Sequence, residues 1–108
     1  MNAKQRGMYE ARVRIIKALA HPARLMIVDE LKKKKPRCVC EIQKIVGSDM
    51  STVSKHLSVL KNAGIVNAEK RGVQVYYRLR CPCVVDFFQC AEKVLMTTAR
   101  EQMRLLRK

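Results

Sequence analysis

The sequence predicts a mainly α-helical fold with one small β-hairpin, in the order α-α-α-α-β-β-α. Apolar residues recur at intervals of three and four through most of the chain, which is typical of helices with one buried face. Between residues 65 and 79 this pattern changes to alternation, which indicates strands. With 108 residues and 48% hydrophobic content, the chain is large enough for one domain with a single core.

The first two predicted helices are separated by a His-Pro dipeptide. Residues 9–20 have an apolar stripe opposite a basic face that contains Arg12, Arg14 and Lys17. Pro22 can open the second helix because the first helical position needs no amide hydrogen. We therefore interpret His21 as a structural residue at the helix junction and not as a metal ligand. The second helix extends to Lys32–Lys35, a basic run that we interpret as a solvated loop.

A short third helix and a serine-rich fourth helix are predicted to form a helix-turn-helix pair. The third helix covers Val39 to Val46 and ends at Gly47. The fourth lies within Ser48 to Gly64, with Asp49 as its N-cap and the glycine as its stop. In such a pair the first helix braces the second against a DNA groove. The buried stripe of the fourth helix is predicted to contain Met50, Val53, Leu57 and Leu60.

The outward face of the fourth helix carries hydroxyl, lysine and histidine side chains. These groups donate hydrogen bonds to phosphate oxygens and base edges, and short side chains let a helix enter the major groove. On its own, this composition also fits an amphipathic surface helix with a serine-rich outer face. The helix-turn-helix arrangement favours DNA binding. The predicted DNA contacts from this helix are Ser51, Thr52, Ser54, Lys55, His56 and Ser58.

Residues 65–79 predict a two-stranded hairpin with its tip at Arg71-Gly72. In the second strand Val73, Val75, Tyr77 and Leu79 alternate with more polar residues. A basic-tipped hairpin directly after a recognition helix is a wing, so the predicted fold is a winged helix-turn-helix. Lys70 and Arg71 are then expected to reach a phosphate or the minor groove. An ordinary hairpin that closes the core remains compatible with the same pattern.

A long last helix is predicted from Pro82 to about Lys108. Its apolar residues are spread too widely for one small domain to cover them, so we expect it to pack, with the first helix, on a second copy of the chain. A twofold dimer would place two recognition helices about 34 Å apart on one face of a palindromic DNA site. We predict one domain over residues 1–108 with N- and C-terminal dimerisation helices.

Charge and composition favour double-stranded DNA as the partner. The chain has 23 Lys and Arg against 9 Asp and Glu, a formal charge of +14, which favours a polyanion, and the lack of Trp argues against stacking on single strands. No apolar run approaches a membrane span and no signal-peptide core begins the chain, so a cytoplasmic location without a membrane partner is expected. Phosphate-binding loops and catalytic constellations are also lacking, so an enzyme is not predicted.

Four short fragments occur in a specific order along the chain. They are Ala18–Leu25, Cys38–Ile42, Val53–Leu57 followed by Leu60 and Ala63–Ile65, and Arg71–Tyr77. In this combination the chain resembles the ArsR/SmtB family of winged helix-turn-helix repressors over nearly its whole length. The resemblance implies a homodimer that sits on its operator and is released when a metal or metalloid, or in some members an oxidant or persulfide, occupies a sensing site.

Cys38 and Cys40 match the thiolate pair on the third helix of the arsenic and heavy-metal sensors of this family. In those sensors a third cysteine follows three residues after the second, and here that position is Gln43. Residues two apart on a regular helix point in different directions, so both thiols can reach one ion only at a distorted helix start. The remaining candidates for a third thiolate are Cys81, Cys83 and Cys90.

The last three cysteines carry further expectations. Cys83 and Cys90 are about 10.5 Å apart along a helix and cannot share an ion. Cys90 lies on the stripe of Phe87 and Val94, so we expect it to be a buried, inert thiol. The last helix contains no histidine, and we therefore do not predict the zinc site of Asp and His pairs that this family places there.

Soft thiolates favour a soft effector, foremost As(III) or Sb(III), with cadmium, lead or monovalent copper as further candidates. No cofactor is expected to be needed for folding. One alternative is a redox or persulfide sensor, because Arg37 and Arg80 neighbour Cys38 and Cys81. Another is a basic nucleoid protein stapled by zinc, although structural zinc sites usually have Cys-x-x-Cys spacing.

Overall fold

The computed structural model describes residues 1–33 and 35–107. This part of the chain contains α1 (Ala3–Leu19), α2 (Pro22–Leu31), β1 (Arg37–Cys38), α3 (Val39–Val46), α4 (Met50–Asn62), β2 (Val66–Arg71), β3 (Gln74–Leu79) and α5 (Val84–Leu106). The order confirms the predicted four helices, hairpin and last helix, and adds the short strand β1. Lys34 in the predicted lysine loop and Lys108 at the predicted end of the last helix lie outside the described residues.

Side-chain caps determine where three of the helices begin. Asn2 and Gln5 form a reciprocal capping box, so α1 starts six residues before the predicted start of the first helix. At α2 the Nδ1 atom of His21 accepts a hydrogen bond of 3.0 Å from the amide of Ala23, which confirms the structural interpretation of this histidine. Asp49 caps α4 as predicted by accepting from the amide of Thr52 at 2.7 Å.

The three strands form one antiparallel sheet in the order β1-β3-β2. Cys38 of β1 lies opposite Tyr76 of β3. The sequence did not predict β1 because two residues are too few to show alternation. The prediction that Val73 belongs to the alternating face was wrong, since it lies in the turn after Gly72 and is 97% exposed.

The hydrophobic core lies between α2, α3, α4 and the sheet. Its largest fully buried side chains are Ile27, Leu31, Ile42, Leu57, Leu60, Val28, Val53 and Val66. Three of the four residues predicted on the buried stripe of α4 are among them. Met50, at the first position of the helix, is instead 39% exposed. Burial of this stripe fixes which face of α4 points outward.

Helices α1 and α5 leave much of their apolar surface uncovered. In α5, Val85 is buried and Phe88 packs on the core, whereas the residues beyond them are exposed. The helix begins at Val84 and not at Pro82, because the residues from Cys81 to Cys83 form the turn that leads into it. Among residues 1–33 and 35–107, no helix has the length and apolar character needed to cross a membrane.

The exposed apolar face of α5 should hold a dimer together. Val94 and Leu95 are 65% and 70% exposed in the single chain, and burying such side chains contributes about 1.5–3 kcal/mol each. The double variant Val94→Glu/Leu95→Glu should therefore weaken self-association at least about a hundredfold. Sedimentation equilibrium at micromolar concentration measures the change, with Gln89→Glu as the control. A parent protein that sediments as a monomer would contradict the dimer.

Candidate nucleic-acid interface and thiol sites

Four of the predicted DNA-contacting residues share one stripe of α4. Ser51, Ser54, Lys55 and Ser58 are all exposed, and their spacing of three and four residues places them side by side on a helix. The stripe faces away from the buried Val53, Leu57 and Leu60. It presents three hydroxyl groups and one ammonium group to solvent, without a bulky side chain that would keep a helix out of a groove.

Thr52 and His56 are half-buried and lie beside this stripe. The ring of His56 packs against the ring of His21 with centroids 4.3 Å apart. Burial, followed by the charges of His21 and Arg24, lowers the pKa of His56 below its ordinary value. The structure therefore brings His56 to the start of α2. Arg24, which sequence reasoning missed, has a buried Nε atom without a hydrogen-bond partner among the described residues.

The predicted wing residues are exposed at the end of the hairpin. Lys70 lies opposite Val75, and Arg71 lies opposite Gln74 beside the turn. The guanidinium group of Arg71 is 3.3 Å from a carboxylate oxygen of Glu69 and 5.0 Å from the ring centroid of Tyr76. These exposed contacts contribute little to stability. They nevertheless orient the cation, which would have to exchange the carboxylate for a phosphate on binding.

Cys38 and Cys40 flank the transition from strand to helix. Cys38 has extended backbone angles at the N-cap of α3 and is 6% exposed, whereas Cys40 is exposed in the first helical turn. The pair therefore spans the start of α3, where the sequence placed it, and the distortion expected there stays a prediction. The two thiols differ in surroundings, because one faces the core and the other faces solvent.

A carboxylate lies next to the buried thiol. The Sγ atom of Cys38 donates a hydrogen bond of 3.4 Å to Oε1 of Glu41. This bond is the largest of several causes that lower the pKa of Glu41. Arg37 is within 3.3 Å of the same carboxylate and 3.7 Å from Glu30 of α2. Sequence reasoning missed Glu41, although its position three residues after the N-cap is the spacing of a capping box.

The other cysteines do not join Cys38 and Cys40 within one chain. Cys38 lies opposite Tyr76, and Tyr76 precedes Cys81 by five residues. The amide of Arg80 donates a hydrogen bond of 2.9 Å to the carbonyl oxygen of Ile65, so the pairing of β2 with β3 continues to Arg80. Five residues of strand span roughly 16 Å. Among residues 1–33 and 35–107, no three His, Cys, Asp or Glu side chains are grouped to hold a metal ion.

The expectation that Cys90 is a buried thiol was wrong for the single chain, in which this residue is exposed. Phe88 is the last α5 residue that packs on the core, so the described part of the chain offers nothing that covers Cys90. Cys90 does lie on the apolar stripe of α5, but that stripe faces outward at this position, so sharing it does not bury the thiol. All five cysteines are free thiols.

Comparison with known proteins gives consistent matches. The model of the family described as "Bacterial regulatory protein, arsR family" matches residues 21–68. The HTH-type transcriptional regulator Rv0081 of Mycobacterium tuberculosis is 33% identical over 100 residues, which cover 92% of this chain and 87% of that protein. A homolog of the cadmium resistance transcriptional regulatory protein CadC from Staphylococcus aureus is 42% identical over 77 residues, or 71% and 62% of the two chains.

Solved structures agree with these matches. The homodimeric winged helix-turn-helix DNA-binding domain of Mb0332 from Mycobacterium bovis, a possible ArsR-family transcriptional regulator, superposes with a TM-score of 0.77 at 29% identity. The match covers 94% of this chain and 93% of that domain. The similarity therefore extends through both the helix-turn-helix pair and the flanking helices.

The contact between His56 and His21 should make stability depend on pH. Because the pKa of His56 is lowered in the fold, the unfolded chain binds more protons, and stability rises with pH. The stability contributed by neutral His56 is complete above the ordinary histidine pKa of 6.5. It is lost as the pH falls through the lowered pKa of His56. Urea unfolding between pH 5 and 8 should show this slope in the parent and a smaller slope in His56→Gln. Lys55→Gln is the control, and equal slopes in the parent and His56→Gln would contradict the argument.

Proposed function

This chain belongs to the arsR family of bacterial regulatory proteins, and from that premise we propose that a soft thiophilic metal or metalloid, bound through Cys38 and Cys40, releases it from its operator. The chain is a DNA-binding transcriptional repressor of the winged helix-turn-helix class, acts as a homodimer on double-stranded DNA, and is not an enzyme. We assign residues 1–108 to a single domain. The proposed effector is As(III) or Sb(III), or another soft ion of this kind.

The proposed DNA contacts follow from the exposed stripe of α4 and from the wing. The stripe from Ser51 to Ser58 supplies hydrogen-bond donors for base edges, and Lys70 and Arg71 supply charge for the backbone. Two copies related by a twofold axis would present two such stripes to successive major grooves. The formal charge of +14 per chain supports this arrangement through release of counterions from DNA.

The observation that carries the effector proposal is the position of the thiol pair. Cys38 and Cys40 flank the first residue of α3, and α3 packs directly on the recognition helix α4. Two sulfur donors from one chain fit a soft centre. A third donor would come from the partner subunit, water or a small thiol. A relative named as a cadmium resistance regulatory protein supports the choice of a soft thiophile.

The hydrogen bond between Cys38 and Glu41 suggests how occupancy of the site would act on α3. A cysteine loses its proton when it ligates a soft ion, so the Cys38 thiol could no longer donate to the carboxylate at 3.4 Å. The carboxylate of Glu41 would then lose this donor at the helix start. Because Arg37 links Glu41 to Glu30 of α2, a shift of Glu41 would also act on α2. A working switch needs a coupling of about 1–3 kcal/mol.

The proposed contacts of α4 and those of the wing should contribute differently to DNA affinity. Ser51→Ala or Thr52→Ala should reduce the difference in binding free energy between operator and random DNA by about 1–3 kcal/mol, since a base contact is lost. In Thr52→Ala the backbone amide at this position still donates to Asp49. Lys70→Ala or Arg71→Ala should weaken both complexes. Each should also lower the slope of log affinity against log salt concentration by about one. Fluorescence anisotropy with both DNAs measures this, and equal losses from both sets of variants would contradict the groove assignment.

Removal of the thiol pair should uncouple DNA binding from the effector. The Cys38→Ser/Cys40→Ser variant should bind operator with parental affinity and stay bound when arsenite or antimonite is added, because the ligands are missing. Titration of labelled operator complexes with arsenite, cadmium and a persulfide donor measures release. Cys90→Ser is the matched control and should respond as the parent does. Release of the double variant by arsenite would reject this site, and release of the parent by the persulfide donor alone would favour redox sensing.

A further inference from the structure

We propose that Cys81 and Cys83 form a second, independent dithiol site for a soft trivalent centre with two exchangeable groups, such as a monosubstituted arsenical. The two thiols flank Pro82 in the turn between the wing strand β3 and the helix α5. Neither is needed for the DNA contacts or for the thiol pair at α3. The site therefore goes beyond the proposed function and does not depend on it.

The turn itself brings the two cysteines together. The carbonyl oxygen of Cys81 accepts a hydrogen bond of 3.2 Å from the amide of Val84, so Cys81 occupies the position that precedes the first turn of a helix. A residue before proline favours extended backbone, whereas Cys83 has helical angles, with φ −60° and ψ −16°. The pair therefore avoids the regular helical geometry that would direct two side chains, two residues apart, to different sides.

The spacing of the two cysteines keeps their thiols close together. The Cα atoms of residues two apart lie within about 7 Å of each other. One small centre can therefore contact both sulfur atoms.

Accessibility and isolation make the pair a site in its own right. Both thiols are exposed, so a reagent in solution can reach them without opening the core. Cys90 is about 10.5 Å from Cys83 along α5, and the sheet register keeps Cys38 roughly 16 Å from Cys81. Within one chain, a ligand at this turn would be held by two sulfur atoms and no third.

Two thiols match a trivalent arsenic atom that keeps one organic substituent. With phenylarsine oxide, two As–S bonds form, the arsenic–oxygen bond breaks, and the two thiol protons leave with the oxygen as one water molecule. Arsenic stays trivalent, so the step needs neither an oxidant nor a reductant. Inorganic As(III) would keep one further exchangeable group after binding the same pair.

The test uses a chain that retains only this thiol pair. The Cys38→Ser/Cys40→Ser/Cys90→Ser variant should take up one phenylarsine group per chain from equimolar phenylarsine oxide and lose both titratable thiols. Native mass spectrometry counts the adduct, and a small competing dithiol should remove it. Adding Cys81→Ser to the same background gives the matched control. That control should lose the adduct at equimolar reagent, because a single thiol cannot form the chelate.

Two results would overturn the proposal. The first is a folded retained-pair variant, verified by circular dichroism, that takes up no phenylarsine group. The second is an adduct that survives Cys81→Ser, which would indicate attachment through one thiol. Peptide mapping of the parent protein gives a second measurement that is independent of variant folding, because fragmentation of the peptide 81–93 should place the bridge on Cys81 and Cys83 and leave Cys90 unmodified. Operator binding is measured separately, so its failure would reject the proposed function and leave this site intact.

Discussion

Burial of one stripe of α4 fixes the orientation of this helix relative to the elements that pack around it. Val53, Leu57 and Leu60 are fully buried against α3, β2 and the neighbouring core, and truncating one such side chain typically costs about 2–5 kcal/mol. The helix cannot rotate without exposing this stripe. Its opposite face, with Ser51, Ser54, Lys55 and Ser58, is therefore fixed in orientation before any partner arrives. Recognition by a rigid helix loses little conformational entropy on binding.

The same packing makes α3 a suitable place for a switch. Its N-terminus joins β1, pairs with β3 through Cys38 and Tyr76, and carries the bond from Cys38 to Glu41. Under the proposed function, loss of the Cys38 thiol proton at this junction would act on a helix whose other face supports α4. A packed interface passes on such a change because it has few intermediate arrangements. The exposed thiol pair at Cys81 and Cys83 lies at a different junction, between the wing and α5.

Among the described residues, only a few of the cationic side chains are held in ion pairs. Ion pairs are found at the hairpin tip and around Glu30, Arg37 and Glu41, while most of the cationic surface faces solvent. Such an excess of positive charge opposes compact folding and favours a polyanion as partner. His56 differs from the other predicted DNA-contacting residues because its ring is held against His21 and its pKa is lowered. His56 therefore joins α4 to the start of α2 and lies next to the exposed stripe of α4.

The order of the helices, the start of α2 at Pro22, the N-cap Asp49 and the hairpin could be predicted from sequence, because they depend on local periodicity and on single residues. The sequence also identified the outward stripe of α4, since a helix with one apolar face must expose the other. Four features follow only from the packing of the folded chain: the existence of β1, the burial of Cys38 beside Glu41, the contact of His56 with His21 and the exposure of Cys90. Each of these depends on which distant element packs against a residue, and the spacing of residues along the sequence does not show which elements come into contact.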